Sequence, residues 1–136
     1  MKRATPLVLV LLLFSGCTYY PSPADTGSPR LEPKNGRLVR TQGGAVCYLE
    51  LANTGKFGDL LVSAESAAAR SVTIVAANGA SVSAIAIPGQ SRLDFNPEGP
   101  RITLSDLTRP LTLGDGVIVT LVFAKSGRIG VVSRVE

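Results

Sequence analysis

Hydrophobic and polar positions divide the chain into three stretches. Residues 6–14 (PLVLVLLLF) form an unbroken apolar run. Residues 18–37 (TYYPSPADTGSPRLEPKNGR) carry prolines at 21, 23, 29 and 33 and offer almost nothing to bury. From Leu38 onward, short runs rich in β-branched residues alternate with turn residues, which is the pattern of half-buried strands. Such runs occupy 45–52, 59–64, 71–76, 80–87, 91–95, 101–104, 117–123 and 128–135. Asn78-Gly79 lies between 71–76 and 80–87, and both residues tolerate positive φ, so these two runs are expected to pair as a tight antiparallel hairpin. Residues 124–127 (AKSG) predict a second hairpin loop, and 96–100 (NPEGP) a turn. The alanines at 67–69 permit a short helical turn, but no longer helix is credible. Seven or eight strands at this spacing predict an all-β fold, an antiparallel Greek-key β-sandwich. No period repeats, which excludes a solenoid.

The 136 residues suffice for one such domain and a targeting segment. Lys2 and Arg3, the apolar run 6–14 and the small pair Ser15-Gly16 read as a secretory signal peptide, too short to span a bilayer. Cys17 directly follows that pair. This arrangement resembles the bacterial lipobox, which implies that Cys17 is acylated and becomes the mature N-terminus; the alternative is a signal cleaved nearby, with Cys17 an ordinary thiol. We expect residues 1–16 to be the signal peptide, 17–37 an acylated cysteine with a Pro-rich tether in extended conformation, and 38–136 the folded domain. The location implied is the cell envelope, lipid-anchored on its periplasmic or extracellular face.

Charge changes this picture little. The formal charge is +4, but without Lys2 and Arg3 there are 12 basic against 10 acidic residues, and the arginines are scattered from Arg30 to Arg134. With 5% aromatics and no Trp, stacking platforms are lacking, so nucleic-acid binding is not expected. The membrane, through the N-terminal lipid, and a protein at its surface are the partners the sequence suggests.

Candidate chemistry is limited by what is missing. The chain has no His, and its one Met is the initiator. Ser-His-Asp and Cys-His arrangements are therefore impossible, as are His-containing zinc sites. Asp94, Glu98, Asp106 and Asp115 lie mostly in turn-rich stretches, where carboxylates cap or stay solvated, so no enzyme is expected. Gly43-Gly44 and Gly114-Asp115-Gly116 read as turns, because no helix follows either to cradle a phosphate. Cys47 alternates with Leu49 and Leu51 and so shares their face, which makes it a buried structural thiol; an exposed redox thiol is the alternative.

Two stretches carry a family resemblance: AVCYLELANTGKFGDLLVSAESAAARSVTIV, and NGASVSAIAIPGQSRLDFNPEGPRITLSDLTRPLTLGDGVIVTLVFAKSGRIGVVSRV. In order they hold a Tyr-containing strand, an Asn-x-Gly turn, an Asp-x-Leu strand, an Ala-rich turn, a Pro-Gly turn, a Pro-x-Gly segment, a Gly-Asp run and a closing Phe-x-Lys-x-Gly hairpin. This order resembles the PCu(A)C family of periplasmic copper chaperones, whose resemblance implies a cupredoxin-like sandwich. The residues around Cys17 likewise resemble the bacterial lipobox, except that Phe14 stands where Leu is preferred.

The family would imply Cu(I), bound by two His and two Met. Pro97-Glu98-Gly99 sets the register for the His-x-Met pair, which falls on Arg101 and Thr103. The other His falls near Val75 and the other Met near Ser83. None of the four can replace a soft ligand, so no cofactor is expected. Arg101 in place of a His would repel Cu(I), and reads either as an anion or partner contact, with Arg109 nearby, or as a solvated strand-edge charge. The resemblance thus implies a binding or accessory module whose copper site is degenerate. The alternative is a metallochaperone with a non-standard site, Cys47 shared between two chains, serving metal delivery or cytochrome oxidase assembly.

Overall fold

A computed structural model describes residues 28–136. The expected signal peptide and Cys17 lie outside the described residues. Nine strands follow one another: β1 (Leu31–Thr41), β2 (Gly44–Asn53), β3 (Asp59–Glu65), β4 (Ala69–Val75), β5 (Ile85–Ile87), β6 (Ser91–Phe95), β7 (Arg101–Leu107), β8 (Gly116–Phe123) and β9 (Gly127–Val135). They form one curled sheet in the order β4-β7-β2-β1-β9-β8-β3-β5, with β6 paired to β2 beyond the end of β7.

The all-β expectation holds, with four corrections. First, the sheet is mixed rather than wholly antiparallel, because β1 runs parallel to β9 at Arg37↔Arg134 and Leu38↔Val135. Second, residues 31–37, expected as tether, are the first part of β1 and pair with β2 from Leu31↔Asn53 onward. This segment is held by backbone pairing more than by burial, which is why an apolar-pattern reading passes over it. Third, the expected 71–76/80–87 hairpin exists only at its tip. Ala76 N–H donates to Ala80 O at 2.9 Å, Gly79 takes φ +88°, and Val82 N–H still reaches Ile74 O at 3.0 Å. The chain then leaves β4, and Ile85–Ile87 pair with β3 instead. Fourth, residues 66–69 close as a turn rather than a helical one, with Ala69 N–H on Ser66 O at 3.3 Å.

Alternation drives the core. In β2, Cys47, Leu49 and Leu51 point inward, and in β8 Val117, Val119, Leu121 and Phe123 do. Leu38, Leu61, Ile87, Ile102 and Leu104 complete a core without exposed area. Aliphatic side chains of this size stabilise by about 1.5–3 kcal/mol each when fully buried. Gly43 (φ +86°) makes the β1–β2 turn, and a Cβ on Gly44 would sit 2.2 Å from Leu104 O, so the Gly-Gly pair serves sheet geometry.

Candidate functional site

Strands β4 and β7 place three of the four sequence-assigned positions together. Val75 and Arg101 are direct cross-strand partners, and Thr103 lies two residues along β7, opposite Thr73. Ile102 and Leu104 point into the core, so Arg101 and Thr103 share the outer face. The Asn78-Gly79 turn folds beside them: a Cβ on Gly79 would meet the Arg101 guanidinium at 3.9 Å. Ser83 stands exposed on the segment that leaves β4 just after the Val75↔Ser81 bridge. Val75, Arg101 and Thr103 thus lie together at the β4–β7 end. The side chains at the four positions are an aliphatic, a guanidinium and hydroxyls, a donor set that does not fit Cu(I).

Arg109 does not join Arg101. It follows the far end of β7, roughly 20 Å along a seven-residue strand, and faces Asp115 at 3.5 Å. Asp94 and Asp106 likewise answer arginines, Arg92 at 2.8 Å and Arg70 at 3.5 Å. These exposed pairs contribute little stability.

Cys47 is fully buried between Leu38 on β1 and Ile102 on β7, with Ser133 Oγ 3.6 Å from its Sγ. Burial pushes its pKa up to about 11, against a smaller opposing effect of the Ser133 contact, so the thiol stays neutral at physiological pH.

Two residues that the sequence reading used only as landmarks hold together the end where β2 finishes and β3 begins. Asn53, 1% exposed, accepts from Arg30 N–H (3.1 Å) and Gly55 N–H (3.0 Å) through Oδ1. Its amide donates to Phe57 O (3.0 Å) and Pro88 O (3.1 Å). Asp59, 4% exposed, accepts from the N–H groups of Leu60, Lys125 and Ser126, each at 2.8 Å. Burial raises its pKa, but the hydrogen bonds from Ser126, Lys125 and Leu60 outweigh that and hold it below the usual carboxylate value. A signal was present: both are polar residues at inward positions of a period-two pattern, Asn53 in line with Leu51 and Asp59 with Leu61.

A shallow depression of about 250 Å³ opens where β1, β2 and β6 meet, lined by Arg37, Tyr48, Glu50, Asp94 and Asn96 among others. The Arg37 guanidinium lies 5.1 Å from the centre of the Tyr48 ring, a cation–π contact.

Among solved structures, the chain is similar to the copper-bound PCuAC domain from PmoF2, with 27% identity over 80% of this chain and 97% of that one and a TM-score of 0.71. It is similar to the apo PCuAC domain from PmoF1, at 24% identity over 80% and 98% with a TM-score of 0.73. CuI-DR1885 from Deinococcus radiodurans shares the fold at 21% identity over 75% of each chain, with a TM-score of 0.67. No curated protein matches the sequence. The resemblance to PCuAC copper chaperone domains therefore extends to the whole described fold. A family model described as "Putative lipoprotein LpqE-like" matches residues 28–135, and the chain belongs to this LpqE-like family.

Proposed function

We propose that this protein is an exported, lipid-anchored member of the cell envelope whose PCuAC-like domain has lost the copper site of its structural neighbours. It acts as a binding or accessory module through contacts with another protein at the membrane surface. The observation that carries this reading is the Val75–Arg101 pair: where the family resemblance puts a ligand-bearing edge, an aliphatic faces a fixed cation, with Thr103 and Ser83 as the remaining positions. Cu(I) is a soft cation that favours thioether, thiolate and imidazole, and a guanidinium beside it adds repulsion. The lipobox-like sequence at Cys17 and the family's description support the anchored location.

A metallochaperone using Cys47 is the competing reading, and the burial of that thiol argues against it. Two chains could share Cys47 only by opening the interface between β1, β2, β7 and β9. Titrating the purified protein with Cu(I) against a competing chelator tests the proposal. No stoichiometric uptake is expected, and a one-to-one or one-to-two site that disappears in Cys47→Ser would overturn it. The N-terminal location is tested separately by the mass of the mature N-terminal peptide, which is expected to begin at an acylated Cys17.

A further inference from the structure

One end of the sandwich differs from the rest of the surface. The described chain enters there: Thr54 N–H donates to Arg30 O at 3.0 Å, and a Cβ on Gly55 would stand 2.1 Å from Ser28 O. The loop from Asn53 to Asp59, the turn at 88–90 and the β8–β9 hairpin meet at the same end. Gln90 N–H reaches Gly55 O at 2.8 Å, Ala124 N–H reaches Leu60 O at 2.9 Å, and Asp59 ties down Lys125 and Ser126. This tightly bonded end exposes Phe57 (57%) and Leu60 (43%) to solvent.

Its charge has one sign. Arg30, Lys56 and Lys125 are all exposed around Phe57 and Leu60. Each of the six ion pairs among the described residues uses an arginine, and neither Lys56 nor Lys125 takes part in any. The local carboxylate, Asp59, is buried under backbone N–H groups. Glu32, on β1 opposite Ala52, is the next exposed acid.

We propose that this end rests on an anionic lipid bilayer, with Phe57 and Leu60 entering the headgroup region and Lys56, Lys125 and Arg30 facing lipid phosphates. Two observations choose the bilayer as occupant. The first is charge complementarity with an anionic leaflet, which attracts exposed basic residues beside apolar anchors. The second is where the preceding chain arrives. Ten residues, 18–27, lie between Cys17 and Ser28, and the eleven extended steps reach only about 35 Å. An anchor at Cys17 therefore keeps the entry end within about 35 Å of the membrane. The inference rests on the lipoprotein reading for this tethering, and on the fold for the face itself. A weak protein-surface contact added to a lipid gives the two-signal attachment that one chain alone does not secure.

Because the chain has no Trp, Phe57→Trp places a lone fluorophore in the end face, and Ile118→Trp places one on the outer face of β8 as a reference. Each full-length protein, recovered from the membrane fraction, is reconstituted into phosphatidylglycerol–phosphatidylcholine vesicles whose acyl chains carry bromine. The indole at position 57 is expected to shift to the blue and to be quenched at least about twofold, whereas the one at 118 stays unquenched. Adding Lys56→Glu and Lys125→Glu is expected to weaken the contact about tenfold and to relieve the quenching. Vesicle-bound protein with an unquenched indole at 57, or with stronger quenching at 118, overturns the inference. So does a blue shift at 57 that grows with protein concentration in the absence of lipid, which marks a second copy of the chain as the occupant. Failure of the lipoprotein reading shows separately as an N-terminal peptide without acyl groups. The Cys17→Ser protein then decides the end face by itself: quenching at 57 on anionic vesicles supports it, and none at any lipid concentration overturns it.

Discussion

Asp59 and Cys47 show how one buried position can favour a charge and another forbid it. Asp59 is ionised because three backbone N–H groups aim at its carboxylate. Asp59→Asn keeps the shape but turns an amide N–H₂ toward one of those donors, and is expected to cost about 2–3 kcal/mol in denaturant unfolding. Its pKa is lowered in the folded state. The stability it contributes is therefore present above the unfolded value near ~3.9 and is lost as pH falls through the folded value. Acid titration of stability should show a fall below about pH 4 that is shallower in Asp59→Asn. Cys47 is the opposite case. With its pKa pushed up to about 11 from 9.0, the thiolate fraction at pH 8 drops about 100-fold from ionisation alone. In a Cys17→Ser protein, alkylation of Cys47 should be at least that much slower in the native state than in denaturant. Equal rates would contradict the buried assignment.

At the scale of elements, β1 is the strand that an apolar pattern does not reveal. A chain beginning at Leu38 loses the Leu31–Lys34 pairing with β2 and the Arg30–Asn53 hydrogen bond. It should be at least about 3 kcal/mol less stable than one beginning at Ser28, measured by thermal or urea unfolding, since each lost backbone pair contributes about 1 kcal/mol. Strands that bury one face were legible from alternation: 45–52 became β2, 117–123 became β8 and 128–135 became β9 with only a residue or two of difference at the ends. Strands held by pairing rather than burial were not. Leu31–Arg37 has only one aliphatic side chain, and Asn35 (φ +53°) with Gly36 forms a bulge that breaks the period. In 80–87 the apolar pattern is continuous, but the chain switches partner from β4 to β3 midway, which local sequence does not encode. That Arg101 and Thr103 share a face was legible from their spacing of two in a strand. The separation of Arg101 from Arg109 was not, because it depends on β7 extending three residues past Leu104.

The whole molecule joins an entry end bound by Asn53 and Asp59 to a β4–β7 edge that carries Arg101. Asn53→Ala would leave Arg30 N–H, Gly55 N–H and two carbonyls without their partner, and should cost about 3 kcal/mol or more while loosening the attachment of the chain at Ser28. The central claim, proposed above, is that a PCuAC-like scaffold persists here without the His and Met ligands that the family resemblance implies. Cu(I) competition titration of two proteins tests it most directly: the natural chain, and one carrying Val75→His, Ser83→Met, Arg101→His and Thr103→Met. The account predicts that the natural chain leaves the chelator complex intact and that the fourfold variant gains Cu(I) uptake. Stoichiometric Cu(I) capture by the natural chain, in competition with the same chelator, would contradict it.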